Sequence, residues 1–261
     1  MGTRIERALV TGASAGIGEQ FARQLAARDV ALVLVARRRD RLEQLAAELD
    51  VEVEVVPADL TDAGDLDLVE RRLAAPDRPV DLLVNNAGYG GYGRFDELEV
   101  TRQAGMIQLN TVALMRLTHA AVAAQRPRGR GGVVNVGSTA GFQPDPYGAT
   151  YGATKAFVRS FTEALGEELR DEAIRVMLLC PGFTDTEFQA VADVVEGALP
   201  SPMRMDAEEV VRIGLRDFAR GRRVSVPGAV NTLTAIGSDV APSAVSRRIS
   251  GYVHHRFTGT S

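Results

Sequence analysis

The chain contains a single lysine, Lys155, which follows Tyr151 by four residues. Residues four apart lie on one face of an α-helix, so a helix here would bring the phenol and the ammonium together. A nearby positive charge favours the phenolate and lowers a tyrosine pKa from its ordinary value of about 10. The pair therefore predicts a tyrosine that acts as a general acid or base. Taken alone, such a pair would more often be part of a solvated helix surface.

The surrounding sequence predicts the elements that would position this pair. Apolar runs alternate with helical patterns, as is typical of a parallel sheet covered on both faces. The predicted strands are 8–10, 31–36, 51–56, 80–84, 132–136, 174–179 and 223–226. The predicted helices are 20–27, 40–49, 66–73, 101–125, 150–170 and 206–219, the last with Asp206 as its N-cap. The fold class is therefore α/β, a doubly wound parallel sheet of the Rossmann type, in one domain with three layers.

A glycine-rich turn follows the first predicted strand, with Gly12, Gly16 and Gly18 spaced by four and two residues. Glycines at a strand–helix junction let the backbone approach a pyrophosphate, which then rests on the helix N-terminus. The order differs from G-x-G-x-x-G, but the position between a strand and a helix indicates a dinucleotide site.

Arg37, Arg38 and Arg39 follow the second predicted strand, where an NAD site would carry a carboxylate for the ribose 2′-hydroxyl. An arginine can instead bind a 2′-phosphate through charge-assisted hydrogen bonds. Basic residues at a helix start also oppose the helix dipole, which a bound anion would offset. The run therefore favours NADP(H) over NAD(H). The alternative is that these arginines only begin a solvated helix.

Together these features resemble the short-chain dehydrogenase/reductase family, in its single-domain branch that prefers NADP. The resemblance covers residues from about 5 to about 190. The motifs that carry it are 11–18 (TGASAGIG), 85–88 (NNAG), Asn110, Ser138, Tyr151 with Lys155, and Pro181 with Gly182.

The resemblance implies a catalytic set of four residues. Tyr151 would exchange a proton with the substrate oxygen, and Lys155 would lower its pKa and bind the nicotinamide ribose. Ser138 would hydrogen-bond the substrate oxygen. Asn110 would kink its helix and hold a water molecule that takes part in a proton relay.

The resemblance also implies binding residues. Among the cofactor-binding residues that the resemblance implies, Asp59 would bind the adenine amino group. The expected cofactor site combines the residues that the resemblance implies with Arg37 and Arg38 of the arginine run. It consists of Gly12, Ser14, Gly16, Ile17, Gly18, Arg37, Arg38, Asp59, Leu60, Asn86, Ala87, Gly88, Tyr151, Lys155, Pro181, Gly182 and Thr186. A partly apolar substrate pocket would be lined by Ser138, Phe142, Tyr147, Phe183 and Phe188. The chain would divide into a cofactor-binding core (5–180), a mobile substrate lid (185–210) and C-terminal elements for substrate or oligomer contacts (211–261).

Composition excludes several other classes of function. The net charge of −4 does not suggest nucleic-acid or anionic-membrane binding. No apolar run reaches the roughly 18 residues of a membrane span, and no signal-peptide pattern is visible. The one cysteine, Cys180, suits a reducing compartment, so a cytoplasmic location is expected. The three histidines lack metal-site spacing, and no metal is expected.

The implied activity is hydride transfer between nicotinamide and a ketone or secondary alcohol, by a carbonyl reductase that uses NADPH or the reverse alcohol dehydrogenase. The substrate would be apolar and of small to medium size. Two alternatives belong to other classes. One is a cofactor-bound scaffold or sensor without turnover, and the other is a sugar-nucleotide epimerase or dehydratase on the same fold. The family generally pairs its two long helices, here 101–125 and 150–170, so a homodimer or homotetramer is expected.

Overall fold

The computed structural model describes residues 4–187 and 204–240. Seven strands form one parallel sheet, namely β1 (Arg7–Thr11), β2 (Ala31–Ala36), β3 (Val53–Pro57), β4 (Leu82–Asn85), β5 (Gly131–Val136), β6 (Ile174–Leu179) and β9 (Val224–Ser225), while β7 (Phe183–Asp185) and β8 (Arg204–Asp206) form a second, small sheet. The strand order of the large sheet is β3-β2-β1-β4-β5-β6-β9. The order reverses between β1 and β4, where a doubly wound sheet opens a crevice for ligands.

Helices cover both faces of the sheet and complete three layers, so the predicted fold class is confirmed. They are α1 (Gly16–Ala26), α2 (Arg39–Ala47), α3 (Ala63–Ala74), α4 (Val100–Ile107), α5 (Leu114–Gln125), α6 (Ala149–Glu168), α7 (Ala207–Ala219) and α8 (Ala229–Val240). Buried side chains of α1, α2 and α7 pack on one face. Those of α3, α5 and α6 pack on the other. No helix in the described ranges is long and apolar enough to cross a bilayer.

Burial on both faces explains why the strands are almost wholly apolar. In β2, Leu32 and Leu34 pack into the core on the α1 side, whereas Val33 and Val35 pack into the core on the α3 side. Successive side chains of a strand point to opposite faces, so both sets must be hydrophobic. The predicted boundaries of β2 and of β6 agree with the structure.

The helical stretch predicted over 101–125 is present from residue 100 to residue 125, but it is not α-helical throughout. A π-helical segment, Gln108–Ala113, separates α4 from α5. Within it the Thr111 hydroxyl donates to the carbonyl of Ile107 at 2.5 Å. Such wide turns often occur at functional sites, and this one contains Asn110, the residue expected to kink the helix. The first helix also begins earlier than predicted, at Gly16, because the glycine turn leads directly into it.

The sequence did not predict a second small sheet, in which β7 (Phe183–Asp185) pairs in parallel with β8 (Arg204–Asp206). Strands of three residues are too short to show a periodic pattern. Asp206 precedes α7 as expected, but its side chain makes no capping hydrogen bond. Most of the predicted lid, 188–203 with Phe188, and the C-terminal 241–261 lie outside the described residues.

One buried hydroxyl joins the two strands at the point where the sheet order reverses. The Thr11 hydroxyl, at the end of β1, donates to the carbonyl of Val84 at 3.3 Å. It accepts from the backbone amides of Asn86 and Ala87, both at 3.0 Å. Thr11 is only 1% exposed, so water cannot readily replace these bonds. This side chain therefore sets the path of the chain that leaves β4.

We expect Thr11→Val to lower the free energy of unfolding by about 2 kcal/mol, because it leaves two backbone amides without their acceptor. Urea unfolding would measure the loss as a lower midpoint with an unchanged slope. Thr11→Ser keeps the hydroxyl and serves as the control, with a much smaller loss. Equal urea midpoints for Thr11→Val and the wild type would show that the Thr11 hydroxyl does not contribute to the free energy of unfolding.

Candidate active site

A cavity of about 840 Å³ opens at the carboxyl ends of the strands, beside the reversal of strand order. Most residues predicted for the site lie on its wall. They are Gly12, Ser14, Gly16, Ile17, Arg37, Arg38, Asp59, Leu60, Asn86, Ala87, Gly88, Ser138, Tyr151, Lys155, Pro181, Gly182, Phe183 and Thr186. Among the described residues, those predicted for the site that do not line the cavity are Gly18, Asn110, Phe142 and Tyr147.

The glycine turn forms one wall of the cavity. Gly12 and Gly16 have φ angles of +65° and +57°, a left-handed conformation that favours glycine. Gly18 has a different role, since a Cβ there would lie 2.2 Å from the carbonyl oxygen of Gly12. It allows α1 to pack against the turn. The first residues of α1 therefore border the cavity, as expected for a helix N-terminus that receives a phosphate.

The two predicted phosphate-binding arginines differ in their contacts. Arg38 donates from Nη2 to the Ser14 hydroxyl at 3.0 Å and from Nη1 to Glu187 at 2.9 Å. Arg41 donates to the other oxygen of Glu187 at 2.6 Å. These hydrogen bonds lower the pKa of Glu187. The sequence did not single out Glu187 or Arg41, because this ion pair joins segments far apart in the chain.

Arg37 is more exposed, and its Nη1 lies 3.8 Å from the carboxylate of Asp59. Asp59 accepts from the backbone amide and the hydroxyl of Thr61, at 2.9 and 2.7 Å. Burial alone would raise the pKa of Asp59, but the hydrogen bonds from Thr61 and the charge of Arg37 outweigh it and lower the pKa. An ionised acceptor thus borders the cavity next to the arginines.

Helix α6 brings Tyr151 and Lys155 to the same buried face, as the four-residue spacing predicts. Tyr151 is 6% exposed and Lys155 7%. The Lys155 ammonium donates to the carbonyl of Val136, the last residue of β5, at 2.9 Å. It lies 5.8 Å from the centre of the Tyr151 ring. A hydrogen bond joins the hydroxyls of Tyr151 and Ser138. Three polar groups therefore meet at one end of the cavity.

The protonation of this group differs from the expectation. Burial raises the pKa of Tyr151 above its ordinary value, the Ser138 hydrogen bond lowers it only in part, and the charge of Asp145 raises it again. The predicted lowering by Lys155 does not prevail, because burial dominates and the ammonium binds the Val136 carbonyl. Burial also lowers the pKa of Lys155 to about 8. At neutral pH the phenol is therefore protonated and the ammonium mostly charged.

Asn110 acts from behind the cavity wall. Its side-chain oxygen accepts from the amide of Tyr89 at 3.2 Å, and its nitrogen donates to the Tyr89 carbonyl at 3.0 Å and to the Thr154 hydroxyl at 3.1 Å. Thr154 precedes Lys155 on α6, so Asn110 fixes the helix that carries the predicted catalytic pair. Its part in a water relay remains a prediction.

Two aromatic residues predicted for the substrate pocket lie elsewhere. Phe142 ends a short 3-10 turn that directs its ring towards α6, where the Arg159 guanidinium lies 4.0 Å from the ring centre. Tyr147 adopts a positive φ of 66° and lines a separate shallow groove with Phe95 and Leu98. Sequence position alone could not reveal these directions, which the turn geometry sets.

Tyr92 and Asp145 also line the cavity, in the stretches 90–95 and 140–147 that the sequence places around the substrate, although the sequence singles out neither residue for a role. The Tyr92 hydroxyl hydrogen-bonds the Asp145 carboxyl, and its ring centre lies 5.9 Å from that of Tyr151. Asp145 is 7% exposed. A visible signal was an acid between two prolines, Pro144 and Pro146, within the stretch between Ser138 and Tyr151.

Cys180 is fully buried behind this end of the cavity. Burial raises its pKa to about 12, so the thiol stays protonated at neutral pH. It packs with Leu114, Val158 and Leu178 as a small core residue, as the sequence suggests.

The sequence and the structure of this chain are similar to those of known proteins. The family model described as short chain dehydrogenase matches residues 6–194. The NADP-dependent 3-hydroxy acid dehydrogenase of Schizosaccharomyces pombe is 36% identical over 189 residues, which are 70% of this chain and 73% of that protein.

Two solved structures are also similar. A short-chain dehydrogenase from Sphingobium yanoikuyae in complex with NADPH has a TM-score of 0.81 at 36% identity, with 96% of this chain and 94% of that chain covered. The bulky-bulky ketone specific alcohol dehydrogenase from Comamonas testosteroni has a TM-score of 0.77 at 33% identity, with 99% and 98% covered. This chain therefore belongs to the short-chain dehydrogenase/reductase family and is an oxidoreductase.

Proposed function

We propose that the protein is an NADPH-dependent carbonyl reductase, or the reverse alcohol dehydrogenase, acting on a ketone or secondary alcohol. The observation that carries this proposal is the buried Tyr151 hydroxyl on the cavity wall, hydrogen-bonded to Ser138 and backed by the ammonium of Lys155. A protonated phenol beside a hydroxyl donor is suited to a carbonyl oxygen that gains negative charge.

The described residues fit a nicotinamide dinucleotide. The wall formed by Gly12, Gly16 and the start of α1 suits the pyrophosphate, because no Cβ fills the turn and helix amides border it. The same cavity continues to Tyr151 and Lys155, so one elongated ligand can reach both ends. The bound cofactor would supply the hydride.

The chain's own residues would handle the proton. Ser138 would hydrogen-bond the carbonyl oxygen and hold it against the phenol. Tyr151, kept protonated because burial raises its pKa, would donate its proton to that oxygen as negative charge develops there. Lys155, whose pKa of about 8 keeps it mostly charged at neutral pH, would stabilise the resulting phenolate. In the oxidative direction the same groups would remove the proton from the alcohol.

The preference for NADP(H) is supported at the other end of the cavity. The residue after β2 is Arg37 rather than an acid, and Arg38 lines the cavity with its guanidinium on Ser14. Arg38 and Arg41 already hold one anion, the Glu187 carboxylate, and a 2′-phosphate would compete for the same donors. The similar Sphingobium structure contains NADPH, and the similar yeast enzyme is NADP-dependent by name.

Exposed apolar side chains support the expected homodimer or homotetramer. Ile107, Met115 and Phe157 are 48%, 37% and 41% exposed. They lie on α4, α5 and α6, the helices predicted to pair across a two-fold axis. Pairing of these helices in a symmetric assembly would cover such side chains.

We expect Tyr151→Phe to reduce kcat for ketone reduction by about 10²–10⁴-fold, because the variant lacks the proton donor. Its affinity for NADPH, measured by fluorescence titration, should remain close to that of the wild type. Tyr147→Phe removes the same atom from a tyrosine outside the cavity and should keep full activity. Full activity in Tyr151→Phe would reject the proposed mechanism.

We expect Arg38→Ala to weaken NADPH binding by about 10-fold or more, since one or more charge-assisted hydrogen bonds are worth about 1.5–3 kcal/mol. NADH binding should change little, because NADH has no 2′-phosphate. Arg39→Ala is the matched control, as Arg39 pairs with Glu43 along α2. If Arg38→Ala lost the same affinity for NADPH and NADH, or lost affinity for neither, Arg38 would not be the cause of a preference for NADP(H).

A further inference from the structure

The substrate end of the cavity contains a buried acid that the proposed reaction does not use. Asp145 is 7% exposed and lines the same cavity as Ser138 and Tyr151. Carboxylates are rarely buried unless they are paired or hydrogen-bonded, because burial removes their hydration. A buried acid on the wall of a binding site is therefore a candidate for substrate recognition.

Two glycines make room for this side chain. A Cβ on Gly148 would lie 2.4 Å from Oδ2 of Asp145, and a Cβ on Gly152 would lie 2.5 Å from the Asp145 Cβ. The Gly152 distance leaves no room for a Cβ unless the backbone moves, and a Cβ on Gly148 would also lie 2.6 Å from the Tyr92 ring, so the start of α6 is shaped around the acid and Tyr92. The amide of Gly148 also donates to the Asp145 carbonyl at 3.0 Å, which fixes the turn. The carboxyl is thus held in one place rather than swinging in solvent.

The carboxyl is next to the reacting group. Tyr92 donates its hydroxyl to Asp145, and the Tyr92 ring lies 5.9 Å from the Tyr151 ring at an angle of 58°. The charge of Asp145 acts directly on the ionisation of Tyr151. Asp145 and Tyr151 thus line the same cavity and are close enough to interact electrostatically, so a substrate that reaches Tyr151 shares the cavity with this carboxyl.

A carboxylate can accept about four hydrogen bonds through its two oxygens, more than one tyrosine hydroxyl can supply. A hydroxyl or ammonium group on the substrate would add a charge-assisted hydrogen bond in a site shielded from water. When Asp145 is ionised, above its pKa of about 7, a substrate carboxylate would meet a like charge, which is unfavourable at buried contacts. The substrate end of the cavity therefore favours substrates with a hydrogen-bond donor near the reacting carbon and disfavours anionic substrates.

We propose that Asp145 determines substrate specificity, so that the site takes carbonyl compounds with a hydroxyl or ammonium group near the reacting carbon and rejects those with a carboxylate there. This inference rests on the proposed function of the same site. Tyr92 holds the carboxyl in position, and Gly148 and Gly152 give it space. The acid is a specificity residue rather than a proton donor to the carbonyl.

The ionisation of Asp145 can be tested first. Burial raises its pKa to about 7, and the Tyr92 hydrogen bond lowers it in part; the titratable groups that face it are Tyr92 and Tyr151. The unfolded chain loses this proton near pH 3.9, so between about pH 4 and pH 7 the native state holds more protons. Stability from this group therefore falls as pH rises through that window.

We expect the Tm of Asp145→Asn, relative to wild type, to rise between pH 5 and pH 8, because the amide removes the cost of ionising a buried acid. Thermal unfolding of the cofactor-free proteins measures the difference. Asp59→Asn is the control, since the lowered pKa of Asp59 predicts a flat difference over the same range. A flat difference for Asp145→Asn would show a solvated carboxyl and overturn the inference.

The specificity test uses three phenyl ketones of one skeleton with NADPH at pH 8, where Asp145, with its pKa of about 7, is mostly ionised. They are β-hydroxypropiophenone, butyrophenone and benzoylacetate, which end in a hydroxyl, a methyl and a carboxylate. We expect the wild type to favour the hydroxyl ketone over butyrophenone by about 10-fold or more in kcat/KM, as one charge-assisted hydrogen bond allows. Benzoylacetate should be the poorest of the three.

Two variants separate charge from hydrogen bonding. Asp145→Leu should reverse the order and favour butyrophenone. Asp145→Asn should retain part of the preference for the hydroxyl, because its amide oxygen still accepts, and should lose the rejection of benzoylacetate. Fluorescence titration with NADPH checks that each variant keeps a folded cofactor site. If Asp145→Leu does not fold, the activity of Asp145→Asn towards benzoylacetate decides by itself whether Asp145 determines specificity.

The outcomes distinguish this inference from the proposed function. A wild type that reduces butyrophenone as well as the hydroxyl ketone, or a preference that persists in Asp145→Leu, would overturn the role of Asp145 and leave the reductase intact. If Asp145→Asn still rejects benzoylacetate as strongly as the wild type does, the proposed role of Asp145 would likewise be overturned, and the proposed reductase function would stand. A wild type that reduces none of the three would overturn the proposed function, and this inference with it.

Discussion

The site depends on how the fold accommodates one buried ammonium. A charged amine taken out of water needs a hydrogen-bond acceptor nearby, or its burial costs several kcal/mol. Lys155 finds that acceptor in the carbonyl of Val136, where β5 ends and the sheet ladder no longer uses every backbone group. This bond sets α6 against the end of β5. Tyr151, on the same face of α6, and Ser138, just beyond β5, are then brought together.

A buried polar network beneath the site fixes the helices that carry it. Asn85 of β4 donates to the Thr118 hydroxyl and to the oxygen of Asn135, both at 2.9 Å. Asn135 of β5 in turn donates to the Thr162 hydroxyl of α6 at 3.0 Å. Apolar contacts alone would tolerate small rotations of α5 and α6 about their axes. Directional hydrogen bonds between strands and helices do not, so the rotation that points Tyr151 into the cavity is specified.

Local patterns predicted much of this fold. Strands buried on both faces show continuous apolar runs, and the four-residue spacing of Tyr151 and Lys155 is a helical signal, so both could be inferred from neighbouring residues. The turn at Gly12 and Gly16 was recognisable because it lies between a strand and a helix. The resemblance of the motifs to a known family added roles that spacing alone does not give.

Other features were beyond local patterns. The direction of the Phe142 side chain follows from a short 3-10 turn, and the contact between Arg38 and Glu187 joins residues far apart in sequence. The pKa of Tyr151 is raised mainly by burial, which only the packed structure reveals. In each case the deciding quantity is a tertiary distance or the exclusion of water.

Charges at the two ends of the cavity are balanced in different ways. Beyond β2, Arg38 faces the carboxylate of Glu187 in an ion pair, which a 2′-phosphate would have to open. Beside Tyr151, the ammonium of Lys155 donates to a backbone carbonyl, and the Asp145 carboxyl accepts from a neutral phenol. Neutral partners stabilise a charge less than an opposite charge does, so burial shifts the pKa values of Lys155 and Asp145 towards neutrality. The cavity therefore has an ion pair at the end beyond β2 and groups that titrate near neutral pH beside Tyr151.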